Sequence, residues 1–101
     1  MIHDLFSGFI KIHILHHAER EPVYGAWLMD ELSRHGYQLS PGTLYPTLHG
    51  LEAHGYLTSE QRVVAGRQRR YYSITTKGID ALEQARLQLK ELTAEVLGET
   101  P

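Results

Sequence analysis

The segment "LSPGTLYPTLHGLEAHGYL", residues 39–57, limits the fold more than any other, because its leucines ask for a helix and its prolines restrict where that helix can begin. Leu44, Leu48 and Leu51 fall on one stripe at helical spacing. Pro41 suits the first helical position, and it pushes Ser40 into the extended conformation that an N-cap residue needs. Pro46 is harder to place, since in a regular helix begun at Pro41 it would free the Gly42 carbonyl. A cap is worth about 1 kcal/mol and an interior proline costs about 3 kcal/mol, so the proline should win. The sequence therefore predicts a loose first turn over 41–43, regular helix from near Thr43, and Pro46 in its first turn. Such a start is suited to close approach by an anion. Gly42 has no side chain, and free N–H groups point outward there. Thr43 and Tyr45 offer hydroxyls to phosphate oxygens, while Pro46 and His49 lie opposite the leucines, where base edges can be met.

The rest of the chain supplies the frame. Residues 4 to about 18 read as a first helix whose apolar residues point in nearly every direction: Leu5, Phe9 and Ile12 on one side, Phe6 and Ile10 beside them, Ile14 and Leu15 elsewhere. A helix apolar all round must be covered all round. With 101 residues the chain is one domain's worth, too small to cover every face itself, so a second copy should complete it. "EPVYGAWLMDELSRHG" gives a second helix entered near Pro22, with Leu28, Met29 and Leu32 inward and Gly36 as the left-handed stop; Gly55 stops the third in the same way. "YLTSEQRVV" and "RQRRYYSIT" are β-leaning runs separated by Ala65-Gly66, a hairpin signal. Thr75 or Thr76 caps a last helix, in which Leu82, Ala85, Leu89, Leu92 and Val96 step by 3, 4, 3 and 4. This is a seam of coiled-coil type. Together with Leu5, Phe9 and Ile12 of the first helix, Leu82, Leu89, Leu92 and Val96 are the expected dimer contacts.

The elements spell a mainly α fold with a small β-hairpin: a winged helix-turn-helix over residues 1–75, and a C-terminal dimerisation helix with a short tail over 76–101. In that fold the third helix enters the major groove of double-stranded DNA. The net charge of −2 argues against nucleic acid when taken whole, but its distribution does not. Residues 61–79 hold five basic side chains (Arg62, Arg67, Arg69, Arg70 and Lys77) and no acid, leaving five basic residues against twelve acidic ones elsewhere. A dimeric winged-helix module that binds only protein is the alternative, and it would have no need of Arg67, Arg69 and Arg70 on an acid-free flank.

Several classes drop out. No cysteine is present, which excludes disulfide scaffolds, thiolate metal sites and cysteine nucleophiles. Nucleophile elbows, phosphate-binding glycine loops and paired-carboxylate signatures are missing, so neither an enzyme nor a cofactor is expected. No apolar run is long enough to span a membrane and no signal peptide is legible, which points to the cytoplasm. His13 and His17 lie four apart on one helical face with His16 adjacent, a spacing that can bind metal. No acid within that run completes a site, so no metal is expected. Should the pair lie in a dimer seam, protonation near pH 6 would loosen it.

"YGAWLMDELSRHG", "LSPGTLYPTLHGLEAHGYL" and "GRQRRYYSITTKG" resemble three signature stretches of the PadR-like transcriptional regulators. The resemblance runs from about Leu5 to the middle of the last helix. It implies a homodimeric repressor of a palindromic operator, often relieved by a small aromatic or drug-like ligand, with the single C-terminal helix swapped onto the partner's first helix. By matching position it implies Ser40, Pro41, Gly42, Thr43, Tyr45 and Pro46 as DNA contacts at the helix start. Gly66, Arg67 and Arg69 would form the wing, with Arg70, Tyr71 and Tyr72 on its return strand. Two departures stand out. The aromatic common in the family at the position of Ala26 has moved to Trp27, about 100° around the helix, which points Trp27 to a dimer interface or ligand pocket. "HILHH" replaces a run that is usually aliphatic.

Overall fold

A computed structural model describes residues 2–98, with side chains from residue 4 onward. The element order is α1 (Ile2–Arg20), β1 (Val23–Tyr24), α2 (Gly25–Arg34), α3 (Pro41–Ala53), β2 (Leu57–Val64), β3 (Arg67–Ile74) and α4 (Thr76–Val96). The fold is mainly helical, as expected, but the hairpin gains a strand. Val23 and Tyr24 pair antiparallel with Tyr72 and Tyr71, giving a sheet of order β1-β3-β2. Two residues are too few for an alternation to show in sequence.

The core is made where α1, α2, α3, the sheet and the start of α4 converge. Ile14, Leu28, Leu32, Leu44, Leu48, Leu57, Tyr72 and Leu82 are its fully enclosed side chains. Leu82, expected in a seam between chains, therefore belongs to the core of its own chain. Residue 75 is no packing boundary either, since Gly78 and Leu82 of α4 are buried with the rest. A Cβ on Gly78 would stand 2.2 Å from the Tyr56 carbonyl oxygen, so only glycine fits that junction. The cap on α4 is the expected one: Thr75 Oγ1 accepts from the Gly78 N–H at 3.0 Å. The tail after Gly98 lies outside the described residues.

The predicted loose turn at 41–43 does not occur. α3 is regular from Pro41, with the Leu44 N–H donating to the Ser40 carbonyl at 3.0 Å and Pro46 inside the helix. The penalty is reduced by location. The one bond Pro46 forgoes has its acceptor on exposed Gly42, where water replaces the donor. The Thr47 hydroxyl adds a bond to the Thr43 carbonyl at 2.8 Å. Gly36 and Gly55, at φ of 91° and 84°, stop α2 and α3 as expected. Ala65 and Gly66 close the hairpin with φ of 51° and 77°, the paired positive values of a type I′ turn.

Candidate nucleic-acid interface

Ser40 is extended, at φ −83° and ψ 159°, but its side chain caps no backbone N–H. Its hydroxyl reaches the Thr43 hydroxyl instead, at 3.4 Å. The Ser40 carbonyl accepts from the Thr43 N–H at 3.0 Å and Pro41 has no N–H, so among the described residues Gly42 carries the amide left open at the start of α3. Leu44, Leu48 and Leu51 are buried, while Gly42, Tyr45, Pro46 and His49 form an exposed stripe at helical spacing. No atom outside the immediate neighbours comes within 3.7 Å of a Cβ built at Gly42, so the glycine leaves the tip open.

The hairpin splits its arginines between two faces. Opposite residues in an antiparallel pair share a face, and the register pairs Val64 with Arg67, Arg62 with Arg69 and Glu60 with Tyr71. On this face the Arg69 guanidinium lies 4.3 Å above the Tyr24 ring, and that of Arg62 lies 4.7 Å above Tyr71. Arg62 is also ion-paired to Glu60. Arg67, beside the turn, is exposed and unpaired among the described residues. Arg70 belongs to the opposite face, the one that carries Tyr72 into the core. Its Nη1 donates to Ser59 Oγ at 3.1 Å, and that hydroxyl donates to Glu52 of α3 at 2.8 Å. Arg70 thus ties the hairpin to α3. Lys77 stands apart, donating to the His54 carbonyl at 2.7 Å beyond the end of α3.

Tyr24 and Gly25, which no sequence signal singled out, connect hairpin and helix tip. Tyr24 packs on Tyr71 at 5.3 Å and carries Arg69 on its ring. The next residue, Gly25, starts α2 under the Tyr45 ring, where a Cβ would lie 2.5–2.6 Å from the ring and its hydroxyl. Arg69, Tyr24, Gly25 and Tyr45 therefore form one continuous path.

Elsewhere the expected residues separate. Leu5, Phe9, Leu92 and Val96 are exposed, with Leu5 at 72%, while Ile12 and Leu89 are half-buried. All of them but Val96 border an apolar trough where α4 lies along α1 of its own chain. A neighbouring cleft of about 290 Å³ is lined by Phe9, Ile12, Tyr37 and Leu89, with His13, His16 and Arg86 at its edge. Trp27 is not part of that lining; it is 37% exposed and sets its edge against the His17 ring at 5.3 Å. Its displacement around α2 has carried it to the histidines of α1. His16 reaches Arg86 at 3.5 Å. His13 and His17 both approach the end of α2, His13 while also lining the cleft, and Glu31 supplies the carboxylate that their own run lacks.

No helix among the described residues is long and apolar enough to cross a membrane. Residues 14–84 match the family model described as the transcriptional regulator PadR-like family. The chain is 63% identical over 89 residues to Transcriptional regulator Rv3488 of Mycobacterium tuberculosis, covering 88% of this chain and 83% of that protein. The crystal structure of a PadR family transcriptional regulator from Eggerthella lenta superposes with a TM-score of 0.81 at 34% identity, over 100% of this chain and 91% of that one. A PadR-like regulator from Bacillus cereus gives 0.86 at 28% identity, over 94% of each. A glycine-opened helix tip, an arginine hairpin linked to it through Tyr24 and Gly25, and these relatives agree: the chain belongs to the PadR-like family of transcriptional regulators, whose members regulate by binding DNA and are not enzymes.

Proposed function

We propose that the protein is a two-fold homodimeric repressor that sets the start of α3 into the major groove of a palindromic operator and lays its hairpin on the flanking backbone. The observation that carries this is the contact path Arg69–Tyr24–Gly25–Tyr45, which links the cationic hairpin to the exposed start of α3. Pro41 sets the turn, the Gly42 N–H and the hydroxyls of Ser40, Thr43 and Tyr45 donate to phosphate, and the missing side chain of Gly42 lets the backbone approach. Pro46 and His49 meet base edges, with the proline ring suited to a thymine methyl. Gly66, Arg67 and Arg69 follow the backbone, and Arg70 keeps the hairpin set against α3.

The uncovered apolar residues Leu5, Phe9, Leu92 and Val96, with Ile12 and Leu89, support dimerisation through α1 and α4. A two-fold dimer requires half-sites about one helical turn, roughly 34–36 Å, apart. The cleft of Phe9, Ile12, Tyr37 and Leu89 opens on that same face and has the apolar lining a small aromatic effector needs. An effector seated there would press on the dimer contact and so relieve repression.

The test is selection of genomic fragments by the purified protein at two salt concentrations, read by sequencing, with sedimentation of the full chain and of a chain ending at Gln84. An inverted repeat recovered by a dimer, and a monomeric truncated chain, are the expected results. Fragments without a shared site would overturn the operator reading, and a truncated chain that still sediments as a dimer would overturn the seam.

A further inference from the structure

The fold gathers three imidazoles and a carboxylate at one spot that the DNA-reading surface does not use. His13 and His17, one turn apart on α1, face His35, the residue that ends α2, and the nitrogen atoms able to bind metal all lie within 4.8 Å of one another. The His13 ring lies 4.9 Å from that of His35 and 6.3 Å from that of His17, and the planes of His13 and His17 are only 13° apart. Glu31, one turn before His35 on α2, brings its Oε2 to 3.0 Å from His35 Nε2 and 3.5 Å from His17 Nε2. That second approach is not aligned as a hydrogen bond. Among the described residues His17 Nε2 is buried without a hydrogen-bond partner, a state that costs about 1–3 kcal/mol for a polar atom.

We propose that His13, His17, His35 and Glu31 bind one divalent cation of the zinc class per chain. Three atoms no more than 4.8 Å apart can all be reached from a point about 2.8 Å from each, and zinc–imidazole bonds are about 2.0–2.1 Å, so shifts of about 0.7 Å at the ring tips close the site. Imidazole with one carboxylate suits zinc, cobalt, nickel or copper, whereas magnesium and calcium prefer oxygen throughout. A bound cation would give the stranded His17 nitrogen its partner. It would also fasten α1 to the end of α2, one residue before the Gly36 turn that leads to Ser40 and the tip of α3.

Metal-free protein, dialysed against chelator, is titrated with Co²⁺, reading visible ligand-field absorption and the fluorescence of Trp27, the chain's single tryptophan, whose ring is 5.3 Å from that of His17. Zn²⁺ is then added in competition, and calorimetry gives the stoichiometry. One site per chain is expected, with Zn²⁺ displacing Co²⁺. His17→Gln, His35→Gln and Glu31→Gln should each weaken binding by at least the ~10- to 100-fold that loss of an outer partner of a metal ligand costs, and His16→Gln should leave it unchanged. His35 is half-exposed at a helix end, so His35→Gln should keep the wild-type circular dichroism even if a change at His17 disturbs packing. Absence of binding in the wild type overturns the proposal. So does an affinity that His35→Gln and Glu31→Gln leave intact, which would assign the metal to other surface histidines.

Discussion

Arg67→Ala isolates the electrostatic grip of the hairpin. Arg62 is committed to Glu60 and Tyr71, Arg69 to Tyr24, and Arg70 to Ser59. Arg67 makes no such contact among the described residues, so its loss should change folding stability by no more than about 0.5 kcal/mol. Its effect on DNA comes from counterion release, which lowers log K against log salt by about 0.9 for every phosphate contacted. A dimer brings two hairpins, so the slope should shrink by about 1.8, whereas a monomer would lose about 0.9. Between 50 and 200 mM salt the wild type should therefore shed about 12-fold more affinity than the variant, against about 3.5-fold for one hairpin. At 0.1 M the dimeric variant should bind about 60-fold more weakly, and by the same factor on every duplex, because phosphates carry no sequence information. Fluorescence anisotropy with a selected operator and a scrambled duplex at four salt concentrations measures both quantities. An unchanged slope, or a loss confined to the operator, would show that this arginine does not sit on the backbone.

Three further substitutions probe the other links. His49→Ala should alter preference among operator variants by about 1–3 kcal/mol at one base position while leaving the salt slope as it was, which competition binding against a single-base library would read. Gly25→Ala should drive the Tyr45 ring off its seat, 2.5 Å from the new methyl. Because that ring is 39% exposed it can swing aside, so binding should weaken while the melting temperature stays within a few degrees. Gly78→Ala meets the Tyr56 carbonyl oxygen, which is backbone and cannot swing. It should cost about 1–3 kcal/mol and, at roughly 4–8 °C per kcal/mol for a domain this size, lower the melting temperature by at least about 4 °C in calorimetry.

What could be read from the sequence follows from how local its physics is. The leucine stripe of α3, the glycine stops at Gly36 and Gly55, the Thr75 cap and the Ala65-Gly66 hairpin each depend on residues within a few positions of one another, and each is present. Pro46 misled for a related reason. The interior-proline cost applies where the freed carbonyl stays dry, and exposure of Gly42 is a property of the folded surface. The remainder is long-range. β1 exists only because Tyr24 finds Tyr71, and the path to Tyr45 depends on a glycine whose neighbour is twenty residues away in sequence. His13 and His17 were conspicuous as a pair. Their companions His35 and Glu31 lie on another helix, and no spacing rule connects the two.

The first helix shows how one element came to lack a polar side. Ile10, Ile14, Leu15 and Ala18 enter the core. His13 and His17 meet the end of α2, and Leu5 and Phe9 remain open beside α4. Each contact occupies its own sector of the circumference, which is why no amphipathic stripe is visible. A segment with three neighbours also transmits force between them. Whatever fixes α1 against His35 at the end of α2 acts five residues from the N-cap of α3, and whatever covers Leu5 and Phe9 would set where a second reading head stands. Spacing between half-sites depends on both contacts at once. A change at the histidines should therefore alter affinity for paired half-sites more than affinity for a single one, since only the paired site responds to the placement of two heads.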